Sequence, residues 1–404
     1  MMNSWTLTGA RVALGPRKTK ALDFELRAGK IGSLNPRSRR PQGAASLDLR
    51  GCLILPGLIN AHDHLEFSIF PRLGHGPYPN AGAWARDIYR PEQSPVRELL
   101  RIPLATRLIW GAMNNLLCGV TTVCHHNPYY ATVFCRNFPV HVPRSYGWAH
   151  SLEFSPDLAR RFKRAPLSRP FVLHLGEAVD RRGKEEIYEL DAMGMLDSRT
   201  VLVHGVALGQ QGARLAQERA ASLVWCPSSN LFILGRTLKA AVLASGIRVA
   251  LGTDSGMSRH GCLLDELRLA RKALRLPISR LYGMVTRDAA EVMRLRLGEG
   301  SLSQGAIADL LVVRDRGRTP AATLLRLGAD DIEIVMVGGE VKLCSSGMID
   351  RLPDPVRRSL HALMAGPRRP QPVFVAVDVP SLQREVEAAQ EHLSPAVKAM
   401  LRSS

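Results

Sequence analysis

Short, almost wholly apolar runs recur along the middle of the chain, each followed by a stretch with helical spacing. Val120–Cys124, Phe171–Leu175, Val201–His204, Ser222–Cys226 and Ile247–Leu251 are such runs; Gln210–Arg219 and Leu238–Ala244 are two of the helical stretches between them. A short unbroken apolar run suits a strand buried on both faces. Its alternation with helices is the pattern of a parallel sheet or barrel. The pattern spans residues 56–296, and about 240 residues suit one (β/α)8 barrel. The flanks differ. Trp5–Ala13, Ala21–Arg27 and Lys30–Leu34 read as short strands with glycine-containing turns, as do Gly305–Val313, Asp331–Val337 and Glu340–Leu343. The expected fold class is therefore α/β: a distorted (β/α)8 TIM barrel over 56–296, with a small β-sandwich domain built from both chain ends, 1–55 and 297–345. Residues 346–404 form an extension with Pro353, Pro355, Pro367, Pro370 and Pro372, ending in a helix-like stretch from Leu382 to Arg402. No chemistry is assigned to it.

Composition narrows the function. With 404 residues, 46% hydrophobic and 22% charged, the chain is ordinarily globular. It has no apolar run of the ~18–20 residues that span a bilayer. Met1–Lys20 places its basic residues after the apolar ones, unlike a signal peptide, so a cytoplasmic location and no membrane partner are expected. The net charge of +18 comes from 54 basic residues, of which 45 are arginine and nine lysine. The arginines are scattered and aromatics are only 5%, without the clustered basic and aromatic footprint of a nucleic-acid binder. The run Arg37, Arg39, Arg40 reads as a solvated loop. Seven cysteines, odd in number and without CxxC spacing, argue against a disulfide framework and a thiolate zinc site.

Chemistry gathers at the strand ends. The apolar run from Cys52 to Asn60 leads into His62-Asp63-His64, and two imidazoles at i and i+2 on a strand point the same way, so both can face one metal. His174 closes Phe171-Val-Leu, His204 closes Val201-Leu-Val, and Asp254 follows Ala250-Leu-Gly-Thr. In a (β/α)8 barrel the C-terminal strand ends share one rim, so residues distant in sequence converge there.

Leu55-Pro-Gly-Leu-Ile-Asn-Ala-His-Asp-His64, His174-x-x-Glu177, Val203-His-Gly205, Cys226-Pro-Ser-Ser-Asn230 and Leu251-Gly-Thr-Asp-Ser255 resemble the successive strand motifs of the amidohydrolase superfamily. Within it the match is to the branch of cytosine, guanine and S-adenosylhomocysteine deaminases and triazine hydrolases. Gly300–Val313 resembles that branch's return into a β-sandwich. The resemblance implies His62, His64, His174 and Asp254 as ligands of one divalent metal ion, zinc first and iron second. It implies Glu177 as proton shuttle, His204 as the group that polarises substrate or orients water, and Asp254 as a second proton acceptor. A metal held by three neutral imidazoles and a carboxylate still takes up a water and lowers its pKa towards ~7, and the hydroxide so formed attacks an sp² carbon bearing a leaving group. The function implied is a metal-dependent hydrolase acting on carbon–nitrogen bonds other than peptide bonds, a deaminase of an amino-substituted heterocycle. A cyclic amide or amidine hydrolase, imidazolonepropionase-like, is the alternative, and a catalytically silent small-molecule-binding barrel the rival. A small molecule is the expected partner, and the family's tendency to dimerise leaves a homodimer open. Lysine-bridged dinuclear sites of the superfamily are not expected here, because no lysine occurs between Lys30 and Lys163.

Substrate contacts are expected from Glu66, His125, Trp148 and Asn230, with Asn230 also able to tie a loop. Leu65–Ala85, with Glu66, His75, Tyr78 and Trp84, reads as a long first βα loop covering the site. Between Cys124 and Phe171 two further βα units must fit tightly, so one barrel unit is expected to be abbreviated. Asp63 stands where the family often carries alanine, and its carboxylate is expected to face outward.

Overall fold

The computed structural model describes residues 4–34, 45–135, 137–144, 146–366, 370–391 and 393–403; the Arg37, Arg39, Arg40 run lies outside them. The apolar runs form seven short parallel strands: β1 (Leu58–Asp63), β2 (Val120–His125), β3 (Gly147–Trp148), β4 (Phe171–Leu175), β5 (Thr200–His204), β6 (Ser222–Trp225) and β7 (Arg248–Leu251). β1 pairs with β2, and β3 to β7 pair in sequence order, all parallel. β7 returns to β1 through a parallel bridge between Asp63 and Asp254, and the His62 carbonyl accepts the amides of Thr253 (3.0 Å) and Asp254 (3.1 Å).

The period of two divides each strand between two environments. Ile59, Ala61, Cys124, Val172, Val201, Val203, Val224 and Ala250 form one inner cluster with Ala289 and Met293. Leu58, Val123, Leu173, Leu175, Leu202, Leu223, Trp225, Val249 and Leu251 belong to the larger core packed against the helices. Both faces are dry, which is why the strands carry almost no polar residues before their ends.

The compressed region after β2 behaves as its length requires. Its next strand is reduced to one parallel bridge, His141 to Thr122, with amide bonds His141 to Thr121 (2.7 Å) and Val123 to His141 (2.9 Å). Among the described residues no helix separates it from β2; the first helix after β2 is Leu158–Arg164. That helix, not a strand, holds Lys163, in its basic last turn.

Two further sheets use both chain flanks. One has eight strands in the order His361–Ala365, Gln371–Val375, Glu340–Ser345, Ile332–Val337, Leu310–Arg314, Cys52–Pro56, Arg11–Ala13, Thr19–Ala21. The other orders Lys30–Leu34, Phe24–Arg27, Ser4–Thr8 and Ala45–Asp48. The expected single strand Trp5–Ala13 is thus two, one in each sheet. The run from Cys52 to Asp63 is also two strands, parted at Gly57, where a Cβ would lie 2.2 Å from Thr121 Oγ1. Asp309 sits at this junction: its carbonyl accepts the Gly57 amide, and its buried side chain accepts from the Gly338 amide (2.8 Å) and Thr122 Oγ1 (3.3 Å).

The extension beyond residue 345 adds two strands to the eight-stranded sheet and then forms helices Val379–Glu391 and Pro395–Ser403. The single expected helix is broken because Pro395 fits only at a helix start. Leu393 and Val397 lie buried with Ile69, Phe70, Leu73 and Ile102, and the Ser394 amide donates to Glu98 Oε2 (2.6 Å). The extension therefore packs on the segment that follows β1.

Two outcomes follow. Leu393→Ala should cost ~2–5 kcal/mol, the range for an emptied leucine site, read as a lowered denaturation midpoint and faster proteolysis within residues 65–102. Burial pushes the Asp309 carboxyl up to about 7 from its ordinary 3.8. Below the ordinary value both states hold the proton; between the two values only the folded state does, so stability falls as pH rises towards 7. The full loss is ~4 kcal/mol at 1.36 kcal/mol per unit. Asp309→Asn should flatten that part of the melting-temperature profile between pH 4 and 7; an unchanged slope would contradict it.

Candidate metal centre and catalytic site

Alternation places most of the polar groups at the rim. Following the inner face past Cys124, Trp148 and Val172 leads to His126, His150 and His174. In β1 the register shifts between Asn60 and Asp63, and this bulge lets Ala61 and His62 both turn inward. Regular alternation breaks again at His204 (φ 76°) and Asp254 (φ 64°). Left-handed backbone at such residues costs ~1–3 kcal/mol and clusters where a side chain must be aimed. The His62 carbonyl holds Asp254 in place, and Gly252 permits the approach, since a Cβ there would meet His62 Cβ at 2.8 Å.

The result is one buried cluster. His62, His64, His174 and Asp254 each offer a donor atom, all within 4.8 Å of one another. His62 Nε2 and His174 Nε2 are 3.1 Å apart, and Asp254 Oδ1 is 3.5 Å from both His62 Nε2 and His64 Nε2. Metal–nitrogen bonds of ~2.0–2.1 Å in tetrahedral arrangement set ligand atoms ~3.3 Å apart, so the observed spacings fit a single small divalent ion. Three imidazoles and a carboxylate are also the donor chemistry that zinc or ferrous iron accepts. Asp254 Oδ2 is held from behind by the hydroxyls of Ser229 and Ser258 (3.1 Å), which leaves Oδ1 facing the histidines.

Glu177, His204 and Asp254 form a second group that shares Asp254 with the first. His204 Nε2 lies 3.4 Å from Glu177 Oε2. The Asn230 amide donates to His204 Nδ1 (2.8 Å), which puts the ring proton on Nε2, towards Glu177. Asn230 is fully buried against His204. Burial favours neutral forms throughout. It lowers His62, His126 and His174 below the ordinary imidazole value, takes His204 to about 3 and His150 to about 4, and pushes Glu177 well above the usual carboxylate range with help from Asp254 and Glu186.

The expected substrate contacts divide. The Trp148 ring lies 5.3 Å from that of His126 on the inner face. His126, in turn, is 4.8 Å from His62 and 4.5 Å from His174, and its Nε2 bonds the Ala149 carbonyl (3.1 Å). His125 has the opposite parity: its ring packs on Phe134, 5.4 Å away, and its Nδ1 lies 3.7 Å from Glu66 Oε2. Glu66 is buried beside the cluster, bonded to Asn127, which is 3.3 Å from His64 Nδ1. His126, Ser229 and Ser258 were not among the expected site residues. Counting by twos from Cys124 reaches His126; no local pattern points to the serines.

Asp63 corrects an expectation. It faces away from the histidines but is wholly buried, not outward: Asn60 (3.0 Å), Asn115 (2.9 Å) and Thr253 (2.9 Å) donate to its Oδ2, and Arg259 Nη1 is 3.7 Å away. The loop after β1 is strapped over the rim by amide bonds Leu73 to Met257, Tyr78 to Ile233 and Ala81 to Glu177. Trp84 and Tyr78 serve the loop itself, bonding the Leu73 carbonyl and Asp87.

Residues 172–342 match the Amidohydrolase family. The 5-methylthioadenosine/S-adenosylhomocysteine deaminase of Syntrophobacter fumaroxidans is 26% identical over 374 residues, covering 76% of this chain and 78% of that protein. Among solved structures, atrazine chlorohydrolase from Arthrobacter aurescens complexed with zinc superposes with a TM-score of 0.65 at 18% identity, over 96% of this chain and 100% of that one. An adenosine deaminase from Xanthomonas campestris with bound zinc gives 0.64 at 18% identity, over 99% and 100%. The order of the strand motifs, the convergence of their histidines and acids, and these similarities agree: residues 172–342 match the Amidohydrolase family, and the chain is similar along most of its length to deaminases.

Proposed function

We propose that this chain is a metal-dependent aminohydrolase that releases ammonia from an amino-substituted purine, with a 5′-substituted adenosine as the substrate class to test first. The observation that carries the reading is the placement of Glu177 and His204 against a four-donor cluster with which they share Asp254. The names of the similar deaminases support the purine class. The same reading takes β1 to β7 with the His141 bridge as the distorted (β/α)8 barrel, and the two flanking sheets as its β-sandwich.

His62, His64, His174 and Asp254 would hold the ion, with zinc proposed because the donor set suits it. When bound, the ion supplies Lewis acidity that makes a water ionisable near neutral pH. The remaining work belongs to the side chains. Glu177, kept protonated by its dry surroundings, gives its proton to the ring nitrogen next to the amino-bearing carbon as water adds to that carbon. Its carboxylate then takes a proton from the adding water and delivers it to the departing amine. His204 Nε2–H donates to the oxygen that gains charge during addition, in the orientation that Asn230 sets. Asp254, backed by two serine hydroxyls, stays a carboxylate and accepts a proton through Oδ1. Trp148 and the neutral His126 give a flat, aromatic wall for a planar ring.

Elemental analysis of protein purified without chelator should find about one zinc per chain, strongly reduced in Asp254→Asn. Glu177→Gln should keep its metal and lose ~10²–10⁴-fold in turnover, the usual contribution of one acid–base group. Ammonia release with the spectral change from adenine to hypoxanthine should appear with 5′-methylthioadenosine or S-adenosylhomocysteine. A metal-loaded protein inert towards both, and towards a panel of other aminated heterocycles, would overturn the proposal.

A further inference from the structure

Ser229 and Asn230 back the site from the first turn of the helix Pro227–Leu234. Ser229 bonds Asp254 Oδ2 and lies 2.9 Å from Ser258 Oγ; Asn230 bonds His204 Nδ1. That helix starts without a cap of its own. Cys226, at its N-cap, makes no side-chain cap bond, and Pro227 has no amide hydrogen, so the first amide in need of an acceptor is that of Ser228. The acceptor comes from another helix. Glu266, wholly buried on Leu263–Leu274, takes the Ser228 amide on Oε2 (2.9 Å) and meets the Ser228 hydroxyl with Oε1. The same hydroxyl accepts the His260 amide (3.0 Å), two residues beyond Ser258.

We infer that Glu266 is a positioning residue of the metal centre: by gripping Ser228 with both carboxyl oxygens, it sets Ser229 and Ser258 against Asp254, and Asn230 against His204. The inference rests on reading the four-donor cluster as a metal site. Ser228 immediately precedes Ser229 and Asn230 in one helical turn, so neither can shift while Ser228 is held. Through the Ser228 hydroxyl the same carboxyl also pins the turn that carries Ser258. The start of one helix and the segment after β7 are thereby locked together, and Asp254 Oδ2 sits where the two meet. Glu266 belongs to neither donor group, so its influence passes through Ser228.

The form of the carboxyl says which substitution preserves the grip. Burial pushes Glu266 up to about 8, against the pull of the Ser228 hydrogen bonds and of Arg259. Below that value the group keeps its proton and offers Ser228 one acceptor and one donor. A glutamine side chain offers the same pair in nearly the same shape: its oxygen for the amide, its nitrogen for the hydroxyl. An alanine offers neither and leaves the Ser228 amide buried without a partner.

The test measures zinc affinity of the full chain by competition with a chromophoric chelator, and the thermal midpoint beside it. Glu266→Ala should bind zinc ~10–100-fold more weakly, the usual cost of losing a group that holds a metal ligand in place. Glu266→Gln should keep the affinity of the unsubstituted chain. Ser228→Ala, which retains the amide bond but cuts the link to His260, should fall between the two. Leu267→Ala empties a buried apolar position on the same helix and serves as the control: its midpoint should drop and its zinc affinity should not. Unchanged affinity in Glu266→Ala would overturn the inference, as would an equal loss in Leu267→Ala or a Glu266→Gln chain no better than Glu266→Ala. Should Glu266→Ala not fold, Ser228→Ala decides, and unchanged affinity there overturns it. An unsubstituted chain that takes up no zinc fails the metal-centre reading itself; zinc held equally by Glu266→Ala fails this inference alone.

Discussion

Much of this molecule hangs on one backbone oxygen. The carbonyl of His62 accepts two consecutive amides, those of Thr253 and Asp254, and so joins the first strand of the parallel set to the last. Because His62 and Asp254 both belong to the candidate metal cluster, the bond that joins the strands also fixes the distance between two of its donor groups. The glycine before Thr253 is the condition for that approach. Beneath it, Asp63 gathers Asn60, Asn115 and Thr253 around one carboxylate oxygen. A buried carboxylate is tolerable only when saturated with donors, and once saturated it resists displacement.

The second constraint is electrostatic. Six imidazoles, those of His62, His64, His126, His150, His174 and His204, form a continuous set of ring contacts. Were they protonated, their mutual repulsion in a dry pocket would be prohibitive; burial holds five of them down, and a neutral imidazole is the form that offers a lone pair. The same dryness raises Glu177, so one physical cause favours neutral imidazoles and a protonated carboxyl in the same pocket. The two roles separate by the sign of the ionised form, which desolvation penalises in a base and an acid alike.

Much of this was legible along the chain, and the reasons differ by residue. The strands were visible because both faces are dry, and His62, His64, His174, His204 and Asp254 because each ends such a run. His126 was one residue from the expected His125; the period of two from Cys124 decides between them, and the eye is misled by the adjacent pair. The interior position of Asp63 depends on a bulge, which has no signature in composition. Ser229 and Asp254 are 25 residues apart, Asn115 and Asp63 52 apart, and such pairings exist only once the chain has folded. Pro139–Val142 reads as an extended run, with Val140 and Val142 buried, but nothing along the chain shows that its pairing shrinks to the single bridge at His141.

The extension bears on the timing of assembly. Leu393 and Val397 complete the apolar cluster of Ile69, Phe70 and Leu73, yet they are synthesised more than three hundred residues later. During translation the segment after β1 therefore lacks part of its packing until Leu393 and Val397 have emerged. The segment after β1 is thus left short of apolar partners through most of synthesis and gains them only when residues 393–397 have been added.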